Sequence, residues 1–173
     1  ASDVYKRQVD LCTGTGALAL YLHHYLPEAQ VRAVELADAA LAYTTANTRG
    51  SGVEVIQADA TDATTLAEWN GTVDLIVTNP PYVPETPNLD PEVYHDPHDA
   101  VFAGEDGMGV ITGLIPTFAR LLRPDGKVAI EHDDSTSEAV QAAMARHGGF
   151  ERISALQDMT GTPRFVTAVR AVD

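Results

Sequence analysis

The sequence predicts an α/β domain: a doubly wound, mostly parallel sheet of seven strands with an antiparallel hairpin at its C-terminal edge. Three observations predict it. Short strand-like runs alternate with helix-length segments from Val9 to His147, the pattern of a parallel sheet covered on both faces. The first strand runs through Asp10-Leu11-Cys12-Thr13-Gly14-Thr15-Gly16 into a helix, and glycines there let the chain turn tightly and a ligand approach the backbone. The last two strand-like runs have no helix between them, so they read as a hairpin.

The elements follow in order. A strand over 9–11 enters the glycine loop, and a helix over 16–26 leaves it. The run Gln30-Val31-Arg32-Ala33-Val34 makes a strand over 31–35 that ends at Glu35. A helix over 38–49, a strand over 53–58 and a short helical piece around 65–69 come next. The apolar run Val73-Asp74-Leu75-Ile76-Val77-Thr78 is a strand over 73–78. It delivers Asn79-Pro80-Pro81-Tyr82 into a long loop to residue 109, rich in Pro, Asp, Glu and Gly. Loops of that length are functional or disordered, and this one leaves the strand end where open α/β sheets put their ligands. A helix over 110–122 is expected to stop at Arg123-Pro124-Asp125-Gly126. A strand over 127–131, a helix over 136–147 and strands over 150–156 and 165–168 complete the chain, with residues 157–164 as the hairpin connection.

With 173 residues, one domain is expected, long enough for a sizeable core. Its 45% hydrophobic and 21% charged residues are ordinary for a globular protein. No apolar run is long enough to span a membrane, so no membrane partner is expected. The start Ala1-Ser2-Asp3-Val4-Tyr5-Lys6-Arg7-Gln8 is polar, unlike a signal peptide. The single cysteine, Cys12, cannot form an internal disulfide and fits a reducing cytoplasm. It reads as a small packed residue, because no partner base is apparent. Eleven Lys and Arg against 25 Asp and Glu leave a net charge of −14. That is poor for gripping a phosphate backbone, so direct nucleic-acid binding is not expected.

Two motifs carry the chemistry. Asn79 offers an acceptor and a donor on a planar amide. Pro80 and Pro81 stiffen the chain and remove two N–H donors, leaving nearby carbonyls without a local competitor. Tyr82 adds a flat face. Together they suggest a rigid cup for a small planar group bearing an NH2, although the tetrapeptide alone also fits a Pro-rich turn. The glycine loop lacks the full G-x-G-x-x-G and a Walker lysine, so neither nicotinamide nor a nucleoside triphosphate is favoured. Glu35 lies about twenty residues past the glycines, where a carboxylate accepts ribose hydroxyls. His95 and His98 match no strong metal-ligand spacing and read as solvated loop residues; no metal is expected.

Asp-Leu-x-Thr-Gly-Thr-Gly, the acid Glu35, Asp59 after the third strand and Asn-Pro-Pro-Tyr after the fourth together resemble a Rossmann-type S-adenosylmethionine-dependent methyltransferase. More narrowly, the chain resembles the HemK family, the peptide chain release factor glutamine N5-methyltransferases. The finer match rests on Pro91-Glu92-Val93, Asp96-Pro97, Phe102-Ala103-Gly104-Glu105-Asp106-Gly107, Glu131-His132 and Arg164-Phe165-Val166-Thr167-Ala168. The resemblance covers nearly all of 9–170. It implies S-adenosyl-L-methionine as cofactor, a release factor as protein substrate, and a monomer. It implies that Thr13, Gly14 and Gly16 line the methionine part and that Glu35 meets the ribose. Asp59 would accept the adenine amino group, with Ala60 beside the ring. Asp10 would orient the loop by accepting backbone N–H groups, or reach the methionine amino group. Asn79, Pro80, Pro81 and Tyr82 would hold the acceptor, with Asn79 also near the cofactor.

The family usually carries an N-terminal helical domain, and here the chain begins at the first strand. Residues 1–8 are therefore expected to be a non-native or truncated start, and 9–173 the methyltransferase domain. Tyr94 stands where the family often has arginine. A ribosomal-protein glutamine methyltransferase and an adenine-N6 nucleic-acid methyltransferase remain alternative readings.

Overall fold

The computed structural model describes residues 6–82 and 107–172. The expectations placed on the long loop beyond Tyr82, including Tyr94, His95 and His98, lie outside the described residues. The strands are β1 (Arg7–Leu11), β2 (Gln30–Glu35), β3 (Glu54–Gln57), β4 (Val73–Thr78), β5 (Leu122–Glu131), β6 (Phe150–Gln157) and β7 (Pro163–Arg170). Among the described residues, the helices are α1 (Ala17–Tyr25), α2 (Asp38–Asn47), α3 (Gly109–Leu121) and α4 (Ser137–His147), with a 3-10 turn at Ala67–Trp69. The seven strands form one sheet in the order β3-β2-β1-β4-β5-β7-β6. Pairing is parallel from β3 through β5, and β7 is antiparallel to both β5 and β6. The doubly wound sheet with its antiparallel edge hairpin is thus the observed fold.

Alternation along β2 shows how the sheet separates two cores. Val31 and Ala33 face a small cluster with Ala19 of α1, while Val34 joins Val9 and Leu11 in the large one. Side chains alternate across a strand, so these neighbours must face opposite layers. The large cluster takes in Ile111, Leu114, Ile115, Phe118 and Leu121 of α3 and Val140 and Met144 of α4. Pro116 lies inside α3, and an interior proline costs about 3 kcal/mol. Each fully buried large apolar side chain contributes roughly 1.5–3 kcal/mol, so the buried face of α3 outweighs its proline.

Several boundaries differ from the sequence expectation: α2 ends at Asn47 rather than 49, and β7 runs over Pro163–Arg170 rather than 165–168. β1 begins at Arg7, two residues before Val9, because Arg7 and Gln8 pair with Gln30 and Val31. The expected stop at 123–126 is a bulge inside β5: Leu122 already pairs with Val73, and the register is irregular before Lys127 pairs with Leu75. Pro124 cannot continue the helix, and Asp125 takes a left-handed φ of 63°. Arg123 Nε donates to Asp74 Oδ1 at 2.7 Å, which pins the bulge against β4. Among the described residues, no helix is long and apolar enough to cross a membrane.

Candidate active site

Strand order reverses between β1 and β4, and open α/β sheets form a ligand crevice beyond the strand ends at such a point. Leu11 and Thr78 are paired there, and the Thr78 hydroxyl donates to the Leu11 carbonyl at 2.7 Å. The glycine loop and Asn79-Pro-Pro-Tyr82 therefore leave adjacent, latched strand ends. A cleft of about 570 Å³ opens beside them. Cys12 and Gly14 line it from the glycine loop, residues 34–37 and Ala40 from the β2–α2 junction, and residues 58–61 from the turn after β3. Asn79, Pro81 and Val110 of α3 complete the wall.

The glycine loop is held by α2. Gly16, at φ 83°, immediately precedes α1, and a Cβ on it would stand 3.1 Å from Thr48 Cγ2 and 3.2 Å from Thr44 Cγ2. Only glycine lets the start of α1 approach α2 this closely. The Thr44 hydroxyl donates to the Gly14 carbonyl, and Asn47 Nδ2 donates to the Thr15 carbonyl at 2.9 Å. Cys12 also takes a left-handed φ of 57°. Burial and the charge of Glu35 push its thiol up to about 12, so it stays neutral.

Asp10 is fully buried at the end of β1. Its Oδ2 accepts the Thr13 hydroxyl and, at 3.0 Å, the Ala19 N–H. Ala19 lies in the first turn of α1, whose cap residue is a glycine without a side chain. Asp10 thus supplies the helix-capping acceptor from the neighbouring strand. Burial pushes its carboxyl up to about 7; the Thr13 and Ala19 hydrogen bonds oppose that rise, and the charge of Glu35 adds to it.

Glu35 is more than a strand-end acid. Its Oε2 accepts the Gly14 N–H at 2.8 Å, and its Oε1 accepts the N–H groups of Leu36 and Ala37 at 2.9 and 2.8 Å. A carboxylate offers about four lone-pair sites, so room for one more donor is left at the cleft. Asp59 is arranged similarly. Its Oδ1 accepts the Thr61 N–H at 2.8 Å and the Thr61 hydroxyl at 2.7 Å, while Oδ2 has no partner among the described residues. The Thr117 hydroxyl of α3 donates to the Ala60 carbonyl at 2.9 Å and steadies that turn.

At the other motif, Asn79 is exposed and lines the cleft; among the described residues its side-chain amide has no hydrogen-bond partner. Pro80 is buried. Tyr82 packs its ring on the large core and donates its hydroxyl to Glu131 Oε1 at 3.1 Å. Burial, then the charge of Glu131, push the phenol up to about 12, so it remains a donor.

Of the residues singled out from sequence, Gly14, Glu35, Asp59, Ala60, Asn79 and Pro81 meet on one cleft. Asp10, Thr13, Gly16 and Pro80 are buried behind its walls, and Tyr82 stands toward Glu131. Leu36, Ala37, Ala40 and Val110 line the cleft without any sequence signal, because small apolar residues at element ends are common. Thr61 is a partial exception: an acid two residues before a threonine is a turn signature.

Residues 2–96 match the family model of the methyltransferase small domain. The chain is 53% identical over 171 residues to a release factor glutamine methyltransferase of Corynebacterium glutamicum, covering 97% of this chain and 61% of that protein. It is 43% identical over 148 residues to a 4-amino-L-phenylalanine/4-methylamino-L-phenylalanine methyltransferase of Streptomyces pristinaespiralis, covering 84% of this chain and 50% of that one. The fold is similar to the crystal structure of a methyltransferase from Pyrococcus furiosus, with a TM-score of 0.70 at 18% identity over 96% of this chain and 76% of that one.

Proposed function

We propose a reaction for this chain from the premise that it belongs to the methyltransferase small-domain family: methyl transfer from S-adenosylmethionine to the side-chain amide nitrogen of a glutamine in a peptide chain release factor. The cleft suits that cofactor. Its volume of about 570 Å³ falls in the range of small-molecule sites. Glu35 keeps an acceptor position for a ribose hydroxyl, and Asp59 Oδ2 is open for an exocyclic amine. When bound, the cofactor supplies an electrophilic methyl group on a sulfonium sulfur.

The observation that carries the acceptor assignment is Asn79, a planar amide on the cleft wall that has no partner among the described residues and is followed by two prolines. An amide nitrogen is a poor nucleophile because its lone pair is delocalised into the carbonyl. Orientation and charge stabilisation therefore matter more than a strong base. The Asn79 side-chain oxygen and the Pro80 carbonyl each accept one N–H of the acceptor, which fixes the nitrogen. The same two oxygens stabilise positive charge that builds on that nitrogen. The half-buried Tyr82 ring stands outside the cofactor cleft, beside Glu131; it stacks on the amide plane from that position, and the proton leaves to water.

The chain spans 61% of the length of the C. glutamicum relative, and that relative's name supports a release factor as acceptor. The cup accepts any planar NH2 group, and the S. pristinaespiralis relative is named for an aromatic amine. Mass spectrometry after incubation with labelled cofactor decides among them. A release-factor domain should gain one methyl on a glutamine, while ribosomal proteins, adenine oligonucleotides and 4-aminophenylalanine gain none. Methylation of any of those three in place of the release factor would overturn the proposal.

A further inference from the structure

Glu131 is the last residue of β5, held between strands. Ile130 beside it pairs with Thr78 of β4, and Glu131 itself pairs with Phe165 of β7. Its carboxylate stands on the sheet at the point where Asn79–Tyr82 leaves the adjacent strand. Pro80 and Pro81 have no N–H to donate, so this segment cannot be fastened by backbone donors in its middle. It is fastened at both ends by side chains: the Thr78 hydroxyl to the Leu11 carbonyl, and the Tyr82 hydroxyl to Glu131.

We propose that Glu131 is a positioning residue for methyl transfer: by accepting the Tyr82 hydroxyl from a rigid sheet position, it anchors the far end of the ring that stacks on the acceptor amide. The inference rests on the acceptor site proposed above. A tyrosine ring held only by its two torsions and one packed face can swing about its Cα–Cβ bond, which carries its hydroxyl with it. A hydroxyl tied to a carboxylate removes that freedom, and charge-assisted hydrogen bonds are among the stronger ones. Arg164 and Asp133 also act on the phenol, with opposite signs of charge. The charge of Glu131, whose carboxylate takes the hydrogen bond, acts on it more strongly than either. Glu131 touches neither reacting group; it acts through Tyr82.

Four variants test this: Glu131→Ala, Glu131→Gln, Tyr82→Phe and the Glu131→Ala/Tyr82→Phe pair. Glu131→Ala and Tyr82→Phe should each lower kcat by about tenfold, a typical scale for loss of one orienting contact, and leave the KM for cofactor within about twofold. Glu131→Gln, whose carbonyl still accepts the phenol, should recover most of the loss. The double variant should be no worse than either single one, because both break the same contact. A multiplicative double variant, or Glu131→Gln as poor as Glu131→Ala, would overturn the positioning role. A substrate-free readout separates this from the acceptor assignment: the 13Cζ resonance of Tyr82, identified by its loss in Tyr82→Phe, should shift in Glu131→Ala and return toward wild type in Glu131→Gln. An unmoved resonance in Glu131→Ala sinks the contact itself. A moved resonance in an enzyme whose wild type methylates no glutamine keeps the contact and sinks the acceptor assignment.

Discussion

Asp10 shows how one buried carboxyl serves both the helix and the loop, and its titration is measurable. Its ordinary value is 3.8 and its folded value about 7. Below about pH 4 the group is protonated in both folded and unfolded chains. Between there and about pH 7 the folded chain keeps a proton that the unfolded chain has lost. Stability should therefore fall as pH rises through this window, by on the order of 4 kcal/mol in total. Asp10→Asn, neutral throughout and still an acceptor for Ala19, should lack that slope in urea unfolding from pH 4.5 to 7.5; parallel curves for the two proteins would contradict it. Glu35 calls for a second residue-scale test, because it builds the glycine loop as well as facing the cleft. Glu35→Gln puts an NH2 group among three backbone N–H donors. It should weaken cofactor binding by about 1–3 kcal/mol and lower stability by a similar amount. Calorimetry with unchanged affinity would remove Glu35 from the site. The identities of Gly14, Glu35, Asp59 and Asn79 were legible in the sequence because each stands next to a glycine, proline or strand end. Asp10 as an acceptor of backbone N–H groups was expected; that its partner is Ala19 of α1, and that Glu35 holds three backbone N–H groups, was not legible, since both depend on contacts between segments.

Among the elements, α3 backs the wall of the site formed by the turn after β3. Val110 lines the cleft, Thr117 holds the Ala60 carbonyl, and Gly113 leaves room for Thr61, whose Cγ2 would lie 3.1 Å from a Cβ there. These three positions follow one face of the helix at spacings of three and four residues. Thr117→Val keeps the shape but leaves the Ala60 carbonyl unpaired. It should cost about 1–3 kcal/mol in stability and weaken cofactor binding through the Asp59 turn. Thermal unfolding and cofactor titration report the two effects, and a variant that binds cofactor as wild type does would uncouple α3 from the turn. The helix itself was readable from its apolar spacing, as were the strands. The bulge at 123–126 was not, because Arg-Pro-Asp-Gly is also an ordinary turn signal. Only the pairing of Leu122 with Val73 across the sheet keeps that segment inside β5.

At the scale of the whole molecule, the sheet order decides where chemistry sits. Reversal at β1 and β4 brings the glycine loop beside Asn79-Pro-Pro-Tyr82, although 63 residues separate Gly16 from Asn79 in the chain. The alternation of strands and helices foretold that sheet. Single-turnover methyl transfer to a glutamine-bearing release-factor domain measures whether Asn79 orients an amide acceptor. With cofactor titrated in parallel, Asn79→Ala should transfer at roughly a hundredth of the wild-type rate or less, the scale of one lost oriented polar partner, while cofactor affinity changes by no more than a few-fold. Transfer by Asn79→Ala near the wild-type rate would contradict that role and leave Asn-Pro-Pro-Tyr as a rigid turn.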